Sequence, residues 1–346
     1  MNKRITILVF SLITIISGCK NTRPIEENIS YINHHMINIG NDIIGRGGPM
    51  LSFQDQTVGI EFLFDTCFYT WDNKKSSFFR FGNRGQGPDE FLHPSSLQCT
   101  SDTTIGIYDL FTKRFDEIRF PLERYEVKKT NNVLFESRTF RIIKTNNNQY
   151  LGIGAYEESM FTLYDSLGRK INSFFEYPYK NKEEGKIKNH LRAMAYQGCL
   201  ISNPSMTKCV YACSKGDILH FYTIQKDNIE VIKRIEKIYP QYITEEENGG
   251  FGAPMSKDNM VGYIHAYATD KYVYLLFSGK TINDYFSLNK REDGDNLFVY
   301  NWDGEVVKQF KLDIACQYFC VHHDTKMIAI AEYPEPCLVS FDLYDI

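Results

Sequence analysis

The chain has 346 residues, 43% of them hydrophobic, 24% charged and 14% aromatic, and its formal net charge is -4. That is too apolar for a disordered chain, and long enough to bury a sizeable core. Lys+Arg 39 against Asp+Glu 43 leaves no cationic excess for gripping phosphates, so no nucleic-acid partner is expected.

Residues 1–18 read as an export signal. Lys3 and Arg4 form its positive end and residues 5–16 its apolar core, which is short of the roughly 20 residues a spanning helix needs. Ile16-Ser17-Gly18-Cys19 then resembles a bacterial lipobox, in which small residues admit a peptidase and the cysteine sulfur takes a diacylglyceryl group. Lipidation is therefore expected at Cys19, each buried CH₂ of the acyl chains contributing ~0.8 kcal/mol to a membrane anchor. Residues 19–30, with Pro24, read as a polar tether, and residues 31–346 as one folded domain. Lipoproteins displayed on the cell surface resemble one another in an acidic run directly after the cysteine. Here Glu26 and Glu27 stand well back from Cys19, which places the protein on the outer membrane facing the periplasm, with surface display as the alternative.

Beyond the tether the chain reads as short apolar-aromatic strands divided by polar turns. Residues 31–44 space Ile37, Ile39 and Ile43 as a strand would. Gly45-Arg46-Gly47-Gly48-Pro49 and Arg84-Gly85-Gln86-Gly87-Pro88 are near-duplicates that lack the Gly-Lys-Ser/Thr of a phosphate-binding loop. They read as connectors whose glycines take positive φ while Arg46 and Arg84 brace neighbouring loops, anion binding being the alternative. The repeating unit is clearest at Phe161-Thr-Leu-Tyr-Asp165 with Lys170-Ile-Asn-Ser-Phe174, and at Leu297-Phe-Val-Tyr-Asn-Trp302 with Glu305-Val-Val-Lys-Gln-Phe310. Between the second pair, Asp303-Gly304 reads as a two-residue type I′ hairpin turn.

Weaker copies surround Trp71, Phe115, Tyr222 and Phe341. With Tyr164 and Tyr300 these make six markers spaced roughly 40–80 residues apart, against the ~40–50 residues of a propeller blade. The expected fold is all-β: a six-bladed β-propeller of four-stranded antiparallel blades, with insertions. A β-sandwich pair or a β-helix matches the spacing less well. The marker strand at Phe341 has no room after it for an outer strand, which residues 31–44 would supply. Both ends then meet in one blade and leave no open edge. Residues 182–194 are the best helix candidate.

Besides Cys19 the cysteines are Cys67, Cys99, Cys199, Cys209, Cys213, Cys316, Cys320 and Cys337. Cys209 with Cys213, and Cys316 with Cys320, sit in strand-like runs where residues four apart share a face ~13 Å apart, too far for a disulfide or one metal ion. They read as buried free thiols, and neither metal nor cofactor is expected. His34-His35 and His322-His323-Asp324 place neighbours on opposite strand faces, so surface or loop roles are expected of the histidines. Glu157-Glu158, Glu183-Glu184 and Glu245-Glu246-Glu247 read as solvated loops, and Asp293-Gly294-Asp295-Asn296 as a hairpin loop rather than a calcium site.

Three segments resemble the TolB-like six-bladed propeller lipoproteins: Phe81-Gly-Asn-Arg-Gly-Gln-Gly-Pro-Asp-Glu-Phe91, Gly262-Tyr-Ile-His-Ala-Tyr-Ala-Thr-Asp-Lys-Tyr-Val-Tyr274, and Ala193-Met-Ala-Tyr-Gln-Gly198 with Cys209-Val-Tyr-Ala212. The resemblance implies the six-bladed fold over the whole mature chain and carries no catalytic residues with it. The family often has an acid where His265 stands, which argues against an acid-based site there.

Residues 239–262 form the longest insertion, and Tyr239, Tyr242 and Phe251 in it are expected as a lid over the channel, a plain surface loop being the alternative. Arg84, Arg192, Tyr263, His265 and Tyr267 are the expected ligand-binding residues. The expected function is a lipid-anchored, monomeric, non-catalytic binding or scaffold module of the cell envelope, for a protein, peptide or glycan. The rival is a propeller enzyme of lyase, lactonase or hydrolase type, with its site at the channel mouth.

Overall fold

The computed structural model describes residues 29–120, 127–247, 250–332 and 335–346. The export signal, Cys19 and the tether up to residue 28 lie outside them. Strands dominate, and they gather into six blades. Blade 1 runs Gly47–Phe53, Gln56–Glu61, Thr66–Asp72 and Ser77–Asn83 from channel to rim. Blade 2 is Pro94–Ser101, Thr104–Asp109, Arg114–Arg119 and Lys129–Leu134. Blade 3 is Thr139–Lys144, Tyr150–Gly154, Phe161–Tyr164 and Lys170–Phe174. Blade 4 is Gly198–Ser202, Lys208–Cys213, Asp217–Gln225 and Asn228–Ile238.

The last two blades share one eight-stranded sheet because the long strand Val306–His322 serves both. Its first part is the rim strand of blade 5, after Tyr263–Ala268, Tyr272–Phe277 and Gly294–Asn301. Its second part is the inner strand of blade 6, followed by Lys326–Glu332 and Pro336–Asp342. The rim strand of blade 6 is His35–Met36, paired antiparallel through His35 to Ser340 and Met36 to Val339, with Ile37 N donating to Leu338 O at 3.0 Å. The two ends of the domain thus meet in one blade, and the six inner strands pack each against the next in a closed ring. Ile29–Ile32 adds a parallel strand along the rim of blade 5, so ordered structure begins before the expected boundary at residue 31.

All six aromatic markers lie on third strands: Trp71, Phe115, Tyr164, Tyr222, Tyr300 and Phe341, each buried. Middle strands are sandwiched between neighbouring blades on both faces, so they read as near-continuous apolar runs, Tyr272–Phe277 and Lys326–Glu332 among them. Rim strands such as Asn228–Ile238 alternate charges along their exposed edge, which blunts edge-to-edge pairing.

Several local expectations need correcting. Of Asp303 and Gly304 only the glycine has positive φ (74°), and Asn301 N bonds Glu305 O, so the turn is a longer bulged type rather than I′. None of Gly45, Gly47, Gly48, Gly85 or Gly87 has positive φ. Gly47 is needed for close approach: a Cβ there would lie 2.2 Å from Ile330 Cδ1 of blade 6. Cys316 and Cys320 do not share a face, because a register shift between Cys316 and Tyr318 puts them in different core clusters. Gly294 opens the third strand of blade 5, and Asp293 just before it is buried against Lys280 and Lys290. Glu245–Glu247 is a strand paired with Gly250–Gly252. His190, His220, His265 and His322 are buried rather than on the surface. The helix expected over 182–194 is a 3-10 turn, Glu184–Lys186, and the helix Asn189–Ala195, and a further helix, Ile282–Ser287, opens with a Thr281–Asp284 capping box.

Candidate functional site: the central channel

The ring of six inner strands leaves a space along its axis. It is a channel of about 1120 Å³, lined from every blade, with residues 49–54 of blade 1, 95–102 of blade 2 and Arg141 of blade 3 among its walls. Blade 4 contributes Cys199 to Asn203, blade 5 Ile264 to Ala268, and blade 6 Tyr318.

The antiparallel order puts two kinds of connection on one face: those from second to third strands, and those from each rim strand to the next inner strand. On that face the mouth carries Arg46, Phe62, Arg84, His93 and Leu110. Rings climb outward there in a ladder. Phe62 stacks on His93 with centroids 5.1 Å apart, His93 on Phe111 at 4.5 Å, and the Arg46 guanidinium lies 5.9 Å from the Phe62 centroid. Burial, with Arg84 and Arg46 nearby, holds the His93 pKa below its usual value despite Asp109. Phe111 is 64% exposed at the top of the ladder.

Arg84 braces the mouth, as the connector reading implies. Its Nε donates to Phe64 O, Nη1 to Leu92 O and Nη2 to Glu61 O. Glu61 is buried, and its carboxylate accepts from the backbone N–H groups of Gly45, Arg46, Phe62 and Leu63 while its carbonyl accepts from Arg84, which knots the two glycine-rich connectors to one residue.

Below the mouth, Arg141 crosses between blades: Nε donates to Gly198 O of blade 4 at 2.8 Å and Nη1 to Ser95 O of blade 2 at 3.1 Å. His265 stands opposite on blade 5, edge-on to Tyr318 at 5.3 Å and Phe319 at 5.2 Å. Burial, and then the charge of Arg141, pushes its pKa down to about 3, so the ring is neutral at neutral pH. Tyr267 sits where three core clusters meet and also faces the channel.

Of the expected ligand-binding residues, Arg84, His265 and Tyr267 line the channel and Arg192 and Tyr263 do not. Tyr263 is buried between blades 4 and 5, its hydroxyl donating to Asp217 Oδ1 at 2.7 Å. Arg192 is buried on the helix Asn189–Ala195, with Nη2 2.6 Å from Glu176 Oε2 and its ring neighbour Tyr179 5.1 Å away. The expected lid residues are also elsewhere: none of Tyr239, Tyr242 and Phe251 lines the channel. They pack on the core of blades 3 and 4, Tyr239 bonded to Glu236, Tyr242 to Glu184, and Phe251 against His190. Two insertions, residues 175–197 and 239–262, thereby clasp each other instead of bending over the axis. Arg141, Tyr318 and the Phe62–His93–Phe111 ladder were not singled out in the sequence. A lone arginine inside Thr139-Phe-Arg-Ile-Ile-Lys144 was the available signal, since an inner strand turns one side to the channel.

The TolB-like 6-blade propeller-like family model matches residues 50–324. The chain belongs to that family. No curated protein matches the sequence. Solved structures similar to this TolB-like propeller include a Bacteroides fragilis protein described as exported, with TM-score 0.59 and 10% identity over 91% of this chain and 95% of that one. A DUF4221 family member from Bacteroides vulgatus aligns with TM-score 0.53 and 11% identity over 91% and 98%. A regucalcin from Agrobacterium tumefaciens, itself a calcium-binding protein, aligns with TM-score 0.50 and 10% identity over 92% and 99%. At such identities these likenesses speak to the fold alone.

Proposed function

We propose that this TolB-like propeller is a lipid-anchored binding module of the cell envelope that receives a protein segment, peptide or glycan at its axial channel. The observation that carries the reading is the channel itself: space enclosed by all six inner strands, entered past an exposed aromatic ladder. Its lining suits binding rather than acid–base chemistry, with Arg46, Arg84 and Arg141 against the single carboxylate of Asp102 among the lining residues. Ring faces and a guanidinium at a rigid mouth offer pre-organised contact area, which keeps the entropic cost of binding low. The location is supported by the lipobox at Cys19 and by the family. Attachment to the periplasmic side of the outer membrane, as one propeller, completes the reading.

The test is the native mass of protein extracted in detergent from its own envelope. Wild type should carry an added mass that is lost in Ser96→Trp, which fills the channel from blade 2 where Ser96 lines it. Equal occupancy in the two would place the ligand elsewhere. Cys19→Ala should abolish labelling by palmitate, and continued labelling would remove the anchor from the reading.

A further inference from the structure

Arg141 is only half used by the fold. Gly198 O and Ser95 O hold Nε and one side of Nη1, which fixes the guanidinium plane between blades 2, 3 and 4. Among the described residues Nη2 makes no hydrogen bond and Arg141 pairs with no carboxylate, and the residue lines the channel. Two further groups beside it are also unsatisfied. His265 is 7% exposed and its Nδ1 is buried without a partner. The Tyr318 hydroxyl, on blade 6, has no hydrogen-bond partner among the described residues, while its ring meets that of His265. Arg141 and Tyr318 are half-buried and open to the channel, and the His265 ring beside them lines it too, so blades 3, 5 and 6 turn hydrogen-bonding groups that the fold leaves unused toward one space, which points to an occupant that accepts hydrogen bonds.

Resting on the reading of the channel as a binding site, we infer that Arg141, with His265 and Tyr318, forms a receptor for a carboxylate group of the ligand. A guanidinium edge presents parallel N–H groups whose spacing matches the two oxygens of a carboxylate. The remaining lone pairs then take the Tyr318 hydroxyl and the neutral His265 ring. Arg141 is clamped by two backbone carbonyls beforehand, so little side-chain freedom is lost on pairing. Arg46 at the mouth adds positive potential that draws an anion inward. The carboxylate has two possible sources, a free organic acid or the C-terminus of a peptide threaded past the Phe62 ladder.

Titration calorimetry of the detergent-solubilised full chain at low salt separates them, with succinate, tetra-alanine, tetra-alanine amide and inorganic phosphate as probes. Binding of succinate alone assigns the organic acid, and binding of tetra-alanine with at least about tenfold loss in the amide assigns the peptide terminus; either result supports the inference. Arg141→Lys keeps the charge but loses the fork and should weaken the bound probe about tenfold. Tyr318→Phe removes one hydroxyl and should weaken it several-fold; it also serves if Arg141→Lys does not fold. Equal affinity for tetra-alanine and its amide, binding of phosphate alone, or no change in both variants would overturn the carboxylate receptor. Ser96→Trp distinguishes that failure from failure of the channel reading: a probe that still binds the plugged protein unchanged lies outside the channel altogether.

Discussion

Ser52 Oγ lies 2.8 Å from His322 Nδ1, stitching the inner strand of blade 1 to that of blade 6 across 270 positions of sequence. Thr57 Oγ1 holds the other ring nitrogen at 2.8 Å, and Cys320 Sγ lies beneath at 3.7 Å. This is the seam where the ring closes, next to the blade that takes its rim strand from the other end of the domain.

Acid should open that seam. Burial pushes the His322 pKa down to about 4 and that of His265 to about 3, against 6.5 for a free side chain. Between pH 6.5 and those values the unfolded chain binds protons that the folded one refuses, so the stability these rings contribute is present above pH 6.5 and lost as pH falls. The loss is on the order of several kcal/mol near pH 4. Thermal unfolding from about pH 7.5 to about pH 4.5 should show Tm falling, and more shallowly in His322→Gln. A flat wild-type profile contradicts the burial of these rings.

Removing the closing strand should cost more than its two residues suggest. Deleting residues 29–37 exposes the edge of Pro336–Asp342 and strips Ile32 from the core cluster of blades 5 and 6. A lower Tm by roughly 10 °C and concentration-dependent association are expected, measured by calorimetry and light scattering. Unchanged values would mean the ring is held without its N-terminal strand.

Close packing between blades 4 and 5 predicts a contrast between two glycines. A Cβ at Gly262 would lie 2.0 Å from the Gly216 carbonyl oxygen, whereas at Gly252 nothing stands within 4 Å. Gly262→Ala should destabilise by roughly 1–3 kcal/mol in denaturant titration, and Gly252→Ala by less than about 0.5 kcal/mol.

The eight cysteines of the described domain are all free thiols. Burial pushes Cys99 and Cys320 up to about 12, and Cys67 and Cys213 up to about 11, so thiolate is scarce at neutral pH. In the native protein Ellman's reagent should miss the five buried thiols, Cys67, Cys209, Cys213, Cys316 and Cys320, and find eight after denaturation, beyond any unmodified Cys19. Fewer after denaturation would reveal a disulfide.

The blade repeat was legible because a third-strand aromatic sits in the same packing environment in every blade, from Trp71 to Phe341, and so leaves a periodic trace. Closure was legible in outline only: a strand from residues 31–44 does complete the last blade, but it is His35–Met36, while Ile37 and Ile39 pack beyond it as partly buried side chains and Ile43 is exposed. The channel was legible only in part. His265 and Tyr267 stood out as polar-aromatic residues opening a strand, but Arg141 acquires its meaning from Gly198 and Ser95 on two other blades, contacts that no local pattern encodes. The lid failed for a related reason: Tyr242 and Phe251 find partners in Glu184 and His190 of another insertion, and that pairing is tertiary. Glycines in the connectors were read as turn formers, while the neighbouring blade's Ile330 is what excludes a side chain at Gly47.

Hydrogen–deuterium exchange of the full chain, with and without the ligand recovered from its own envelope, reads the place of binding directly. Protection should appear on the channel-lining strands Pro94–Ser101, Thr139–Lys144, Gly198–Ser202 and Tyr263–Ala268. Protection confined to rim strands such as Ser77–Asn83 and Asn228–Ile238 would contradict a binding site on the axis.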